Sequence, residues 1–157
     1  MLIVPNRIVR RLAPIALSLV LMTSVARLAH AEDTMSSVSD SHMESIFKAM
    51  DLTFTKSKDH TWRIVLDDNK VLVVLGNDST DMQFYIAFGD VTVSADKMNR
   101  WNKAKRFSRA YSDDDKNPAL ENDLDFAGGV TDDTIKAAIR LFKSSLVKFK
   151  SFLNEKD

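Results

Sequence analysis

The sequence predicts an α+β domain built on an antiparallel sheet, in the order helix, three or four strands, helix, two strands, long helix. Residues 43–50 and 132–153 place apolar side chains at helical spacing. Residues 52–88 instead alternate at period two, in short runs separated by brief polar turns, which is the pattern of a hairpin-connected meander. Helices that punctuate such a meander do not give the alternating strand–helix–strand order of a parallel sheet.

The chain has 157 residues, the length of one domain, and its first stretch reads as separate from the fold. Residues 1–31 have the parts of a secretory signal peptide: a basic start (Arg7, Arg10, Arg11), an apolar run over 12–25, and a small-x-small cleavage site, Ala29-His30-Ala31. The apolar run falls short of the roughly 20 residues of a membrane span, so no stable membrane insertion is expected after cleavage at Ala31; a retained N-terminal anchor is the alternative. Arg10-Arg11 raises the twin-arginine route, but Leu12-Ala13-Pro14 lacks the usual Phe-Leu-Lys, which favours general export to the periplasm or beyond. The four arginines of 1–31 leave with the signal. That gives 18 basic against 22 acidic side chains and a net charge of about −4. An acidic domain of this kind is ill suited to nucleic acid. There is no cysteine, so disulfides, thiol chemistry and lipoprotein anchoring are excluded and the fold must rest on its apolar core.

After a polar, flexible leader over 32–40, Asp40 or Ser41 can cap a first helix whose apolar face is Met43, Ile46, Phe47 and Met50. Strands are expected around Leu52 and Phe54, at 61–66, at 71–75 and at 82–88, with turns at 67–69 and 76–80. Residues 71–75 are apolar on both faces, which suits a central strand. Ser94 caps a second helix with an apolar edge (Met98, Trp101, Ala104) and a basic one (Lys97, Arg100, Lys103, Arg106). Residues 108–111 and 119–126 form a second hairpin, with Leu120, Leu124 and Phe126 on one face and Glu121, Asp123 and Asp125 on the other. Gly128-Gly129 permits an unusual backbone just before Thr131 caps the last helix. In that helix Ile135, Phe142 and Phe149 repeat every seven residues, as do Ile139, Leu146 and Leu153. Leu141 and Phe152 lie outside this stripe and are free to cover a neighbouring element or a second copy. Residues 154–157 form a short tail.

The chemistry-bearing groups are thin. Asp113, Asp115 and Asn117 resemble the start of a calcium loop, but Pro118 stands where the bending Gly belongs and Leu124 where the bidentate Glu belongs. A hairpin tip is the better reading, with a calcium-stabilised module as an alternative. Glu121, Asp123 and Asp125 share a strand face near Arg106 and Arg109. That set suits cross-strand ion pairs on a solvated face, or, as an alternative, a small-ligand or catalytic site. His42 and His60 lack metal-ligand spacing and read as exposed and inert. No nucleophile, phosphate-loop or cofactor motif is present. Aromatic and arginine residues favour interfaces, although in a small domain most aromatics are core. On that basis Trp62, Trp101, Phe107, Arg109 and Tyr111 are the candidate contact surface.

Residues 41–152 resemble the YbjN family of bacterial proteins, grouped as sensory transduction regulators with a type III secretion chaperone-like α+β fold. The resemblance rests on words in a fixed order: Gln83-Phe-Tyr-Ile-Ala-Phe88, Trp101-Asn102, Arg106-Phe-Ser-Arg-Ala-Tyr111, Asp113-Asp-Asp115, Leu120-Glu-Asn-Asp-Leu-Asp125 and Gly128-Gly-Val-Thr131. It implies a non-enzymatic domain over 41–153 that binds a protein partner, a second copy of itself included. It carries no catalytic residues and no cofactor. The export signal sets this chain apart from the family's cytoplasmic picture.

Overall fold

The structure is a computed structural model that describes residues 33–155. The expected signal peptide, its cleavage at Ala31 and the end of the tail lie outside the described residues. Three helices and six strands follow in the order α1 (Asp40–Ala49), β1 (Phe54–Lys58), β2 (Thr61–Leu66), β3 (Asn69–Leu75), β4 (Asp81–Ala87), α2 (Ala95–Ala104), β5 (Arg109–Ser112), β6 (Pro118–Asp125) and α3 (Asp132–Asn154). All strand pairs are antiparallel, and the sheet order is β1-β2-β3-β4-β6-β5. The α+β reading holds, and β3 is a central strand as its two-faced apolarity requires.

Local chemistry explains most boundaries. Ser39, Ser94 and Thr131 each accept a backbone N–H of their helix's first turn, at His42, Lys97 and Thr134. The cap of α1 is thus one residue earlier than expected. The β2–β3 hairpin turns through Asp67 and Asp68, both at positive φ (50° and 62°), as a tight two-residue hairpin demands. Gly129 sits at φ +93°, and a Cβ there would lie 2.7 Å from the Thr34 side chain. The segment read as a flexible leader is in fact tied down. Met35 pairs with Val130 through two backbone hydrogen bonds of 2.7 and 2.9 Å, and Val38 is buried.

Strand parity decides which face is covered. Trp62, Val73 and Phe84 stand in register across β2, β3 and β4, all on one face. Phe47 of α1 meets Trp62 edge-on at 5.9 Å, and Phe142 of α3 stacks on Phe84 at 5.1 Å. Both helices therefore lie on the same side of the sheet, and the core is the single layer between. The six apolar residues of the two expected heptad rows, from Ile135 to Leu153, are all buried. α2 closes the β5 end: Trp101 packs edge-on against Phe149 at 4.9 Å and at 5.4 Å from Phe152. Phe152 thus covers a neighbouring element, while Leu141 stays exposed. The other face of the sheet, with Arg63, Val65, Leu72, Gln83, Tyr85 and Glu121, carries no helix among the described residues.

Candidate functional site

The five candidate contact residues separate into three places. Trp62 is 0% exposed and Trp101 1%, so neither offers a surface. This corrects the expectation: both indoles fill the core, and each turns its N–H to a partner, Trp62 to Glu44 (3.1 Å) and Trp101 to Ser108 (3.2 Å). Arg109 and Tyr111 lie on the open sheet face. Phe107 stands at the corner between α2 and β5, 60% exposed.

On the open face β5 and β6 pair Arg109 with Glu121, so their side chains meet across the strands. The guanidinium of Arg109 forms an ion pair with Glu121 Oε1, and the Tyr111 hydroxyl donates to Oε2 at 2.7 Å. Glu121 is only 3% exposed, so it is not the solvated acid its alternation suggested; the cross-strand ion pair is present, but half of it is buried. Its neighbours on β6 differ. Asp123 is exposed and accepts from Gln83 at 2.8 Å, and Asp125 accepts the N–H of Ala127. Gln83, Asn99, Asn102, Arg109, Tyr111 and Glu121 line a shallow hollow wide open to solvent. Arg106 is not part of it; its guanidinium lies over the Phe107 ring at 5.2 Å.

The acidic turn spends its first carboxylate on itself. Asp113 Oδ1 accepts the N–H groups of Asp115 (3.0 Å) and Asn117 (2.8 Å), while Oδ2 accepts from the Asn117 amide (3.2 Å) and the Tyr85 hydroxyl (3.4 Å). Burial pushes the Asp113 carboxyl up, but the hydrogen bonds from Asn117, Asp115 and Tyr85 outweigh it and hold it below the usual aspartate range. Burial, with Asp113 beside it, pushes the Tyr85 phenol up. A carboxylate aimed at its own turn's donors is not aimed at a cation. Among the described residues no three His, Cys, Asp or Glu side chains group to hold a metal ion.

Three polar groups behave differently from their sequence reading. His42 lies 2.6 Å from Asp132 at the start of α3, and His60 lies 2.7 Å from Asp40 at the start of α1. Both read from sequence as exposed and inert, yet each is half-buried on a carboxylate. Those partners are 90 and 20 residues away, beyond any local spacing rule. Lys97, expected on the basic solvent edge of α2, is buried. Its ammonium donates to the carbonyls of Leu153 (3.2 Å) and Glu155, capping the negative end of α3.

Asp40 supplies a pH prediction. Burial raises its carboxyl, but bonds from Lys56 (2.7 Å) and from the backbone and ring of His60 hold it below the ordinary aspartate value of 3.8. A depressed folded value means the contribution is fully present above 3.8 and is lost as pH falls through the lower folded value. Urea midpoints measured from about pH 5 to about pH 2.5 should drop in the native chain, and Asp40→Asn should flatten that drop while lowering the midpoint at neutral pH. Parallel pH curves for the two proteins would contradict it.

The Phe107 corner has a different character. Phe107 adopts φ +62°, a left-handed backbone rare for a bulky side chain. Its carbonyl is clamped by the Asn122 amide at 2.6 Å. Beside it a hollow of about 380 Å³ is lined by Trp101, Lys105, Arg106, Leu141, Ser145 and Lys148, among others. Phe107 stands among the contact residues expected from sequence, as an aromatic beside arginine; its left-handed backbone and the hollow next to it have no sequence sign.

A family model described as "Putative bacterial sensory transduction regulator", YbjN, matches residues 39–155. No curated protein sequence matches the chain. Among solved structures, the crystal structure of YbjN from E. coli superposes with a TM-score of 0.58 at 14% identity, covering 77% of this chain and 92% of that one. The Yersinia pestis type III secretion chaperone SycH, crystallised with a stable fragment of YscM2, is similar at a TM-score of 0.49 and 12% identity, over 71% of this chain and 95% of that one. Among the described residues no helix is long and apolar enough to cross a membrane.

Proposed function

The chain belongs to the YbjN family, and on that premise we propose that it is a non-enzymatic module that binds another polypeptide in a chaperone-like or regulatory role after export to the periplasm. The observation that carries this reading is Phe107, a large apolar side chain held out in solvent by a clamped, left-handed backbone. Exposed aromatics beside arginine are the anchors that protein interfaces use. The polar cluster of the open sheet face argues the same way by contrast. Arg109 and Tyr111 both engage Glu121 there, and the hollow they line is wide open to solvent, unlike the enclosing pocket a small substrate needs.

Export rests on the composition of residues 1–31 and is tested by cell fractionation with intact-mass measurement. A periplasmic species starting near Glu32 is expected; a full-length cytoplasmic one would refute export. Binding is tested in the living cell with the full chain carrying a photo-crosslinking benzoylphenylalanine at position 107 or, separately, at position 65 on the open sheet face. A defined polypeptide attached at either position supports the reading. No adduct at both positions, with a monomeric mass in solution, overturns it.

A further inference from the structure

We infer that the hollow between the end of α2 and α3 is a docking groove for an acidic, amphipathic peptide segment of a partner protein. The inference rests on the protein-binding reading above and gives that surface a location and a chemistry. α3 has a second stripe beside its core stripe: Leu141, Ser145 and Lys148 follow at i, i+4 and i+7. Lower down, Phe152 fills the same side against Trp101. At position 145 a small serine takes the place of a filling side chain. It is buried, and the hollow opens over it, between Leu141 (39% exposed) and Phe107. The hollow thus has a small serine at its floor and two apolar lips, Leu141 and Phe107, and its shape is concave.

Phe107 costs the fold twice. Its left-handed backbone is unfavourable for a bulky residue, and its ring stays 60% exposed. The Asn122 clamp keeps the backbone there, although a glycine would hold the same angle without strain. A residue strained into exposure and rigidly held has the properties of a preorganised anchor.

Charge selects the occupant. Lys105, Arg106 and Lys148 rim the groove, on a domain whose net charge is otherwise acidic. A second copy docked face to face would set these cations against each other, which disfavours self-association here. A segment with apolar side chains for Phe107 and Leu141 and carboxylates for the rim meets every group present. A flat anionic bilayer would leave the concave floor over Ser145 unfilled.

The test is fluorescence anisotropy with the full chain as the cell processes it. The probe is a fluorescein-labelled peptide carrying leucines at helical spacing and glutamates elsewhere; its counterpart replaces the glutamates with lysines. The acidic peptide should bind at least about tenfold more tightly than the basic one and weaken with added salt. Phe107→Gly and Lys148→Glu should each weaken it about tenfold or more, and Phe107→Gly should leave the thermal midpoint unchanged or higher because the strain is relieved. Equal binding of the two peptides, or affinity unaffected by both substitutions, would overturn the groove. So would binding of phosphatidylglycerol vesicles in place of the peptide. A partner crosslinked only from position 65 would also sink the groove while the protein-binding reading survived; failure at both positions would sink both.

Discussion

Truncating Trp101 to alanine should cost the domain about 3–5 kcal/mol, the range for removing a large buried aromatic. Three contacts make the figure high. The indole is 1% exposed, packs edge-on against Phe149 at 4.9 Å and near Phe152 at 5.4 Å, and donates to Ser108 at 3.2 Å. It is the principal apolar side chain by which α2 joins α3, so the cavity it leaves cannot collapse without moving the helix. The loss is read as a lowered urea midpoint at unchanged slope. Trp101→Phe keeps the stacking on α3 and loses only the hydrogen bond and part of the volume, so its cost should be distinctly smaller. Equal losses for Ala and Phe would mean that the Ser108 bond, not packing, holds α2.

The same residue shows where sequence reading succeeds and stops. The heptad rows of α3 are legible because 23 residues repeat one apolar spacing and a single helix face answers for all of them. The parity of β2, β3 and β4 is legible for the same reason at period two. Residue type alone, however, does not separate a buried indole from an interfacial one. Trp62 and Trp101 were therefore grouped with Phe107, yet only Phe107 is outside. Pairings set by the folded chain were equally out of reach. Nothing local connects His42 to Asp132, or Lys97 to the last carbonyls of α3. The insertion of β6 between β4 and β5 follows from a crossover through α2 that four residues of β5 do not announce. Of the candidate site, Arg109 with Glu121 was legible as a cross-strand pair; the burial of Glu121 was not.

Asn102 is the second large expected effect. Trp101 points into the core, and the next side chain points at the free edge of β5. There the Asn102 amide accepts the N–H of Ala110 and donates to its carbonyl, both at 2.9 Å. One side-chain amide thus takes the place that a neighbouring strand's peptide group would occupy. The opposite edge of the sheet is protected differently, by the exposed Lys56 and Lys58 and an irregularity between them in β1. Asn102→Asp keeps the shape and the acceptor but loses the donor, and sets a carboxylate against the Ala110 carbonyl. It should cost about 2–3 kcal/mol, since one bond is lost and a repulsive contact replaces it. Asn102→Ala should cost less, about 1–2 kcal/mol, because water can reach the partly buried edge. The Ala variant bares the strand edge, and the Asp variant leaves the Ala110 carbonyl unpaired. Sedimentation should therefore show self-association that grows with protein concentration beyond that of the native chain. If Asp and Ala were equally mild and both variants sedimented as the native chain does, the amide would be a bystander and α2 would be held by Trp101, Met98 and Lys97.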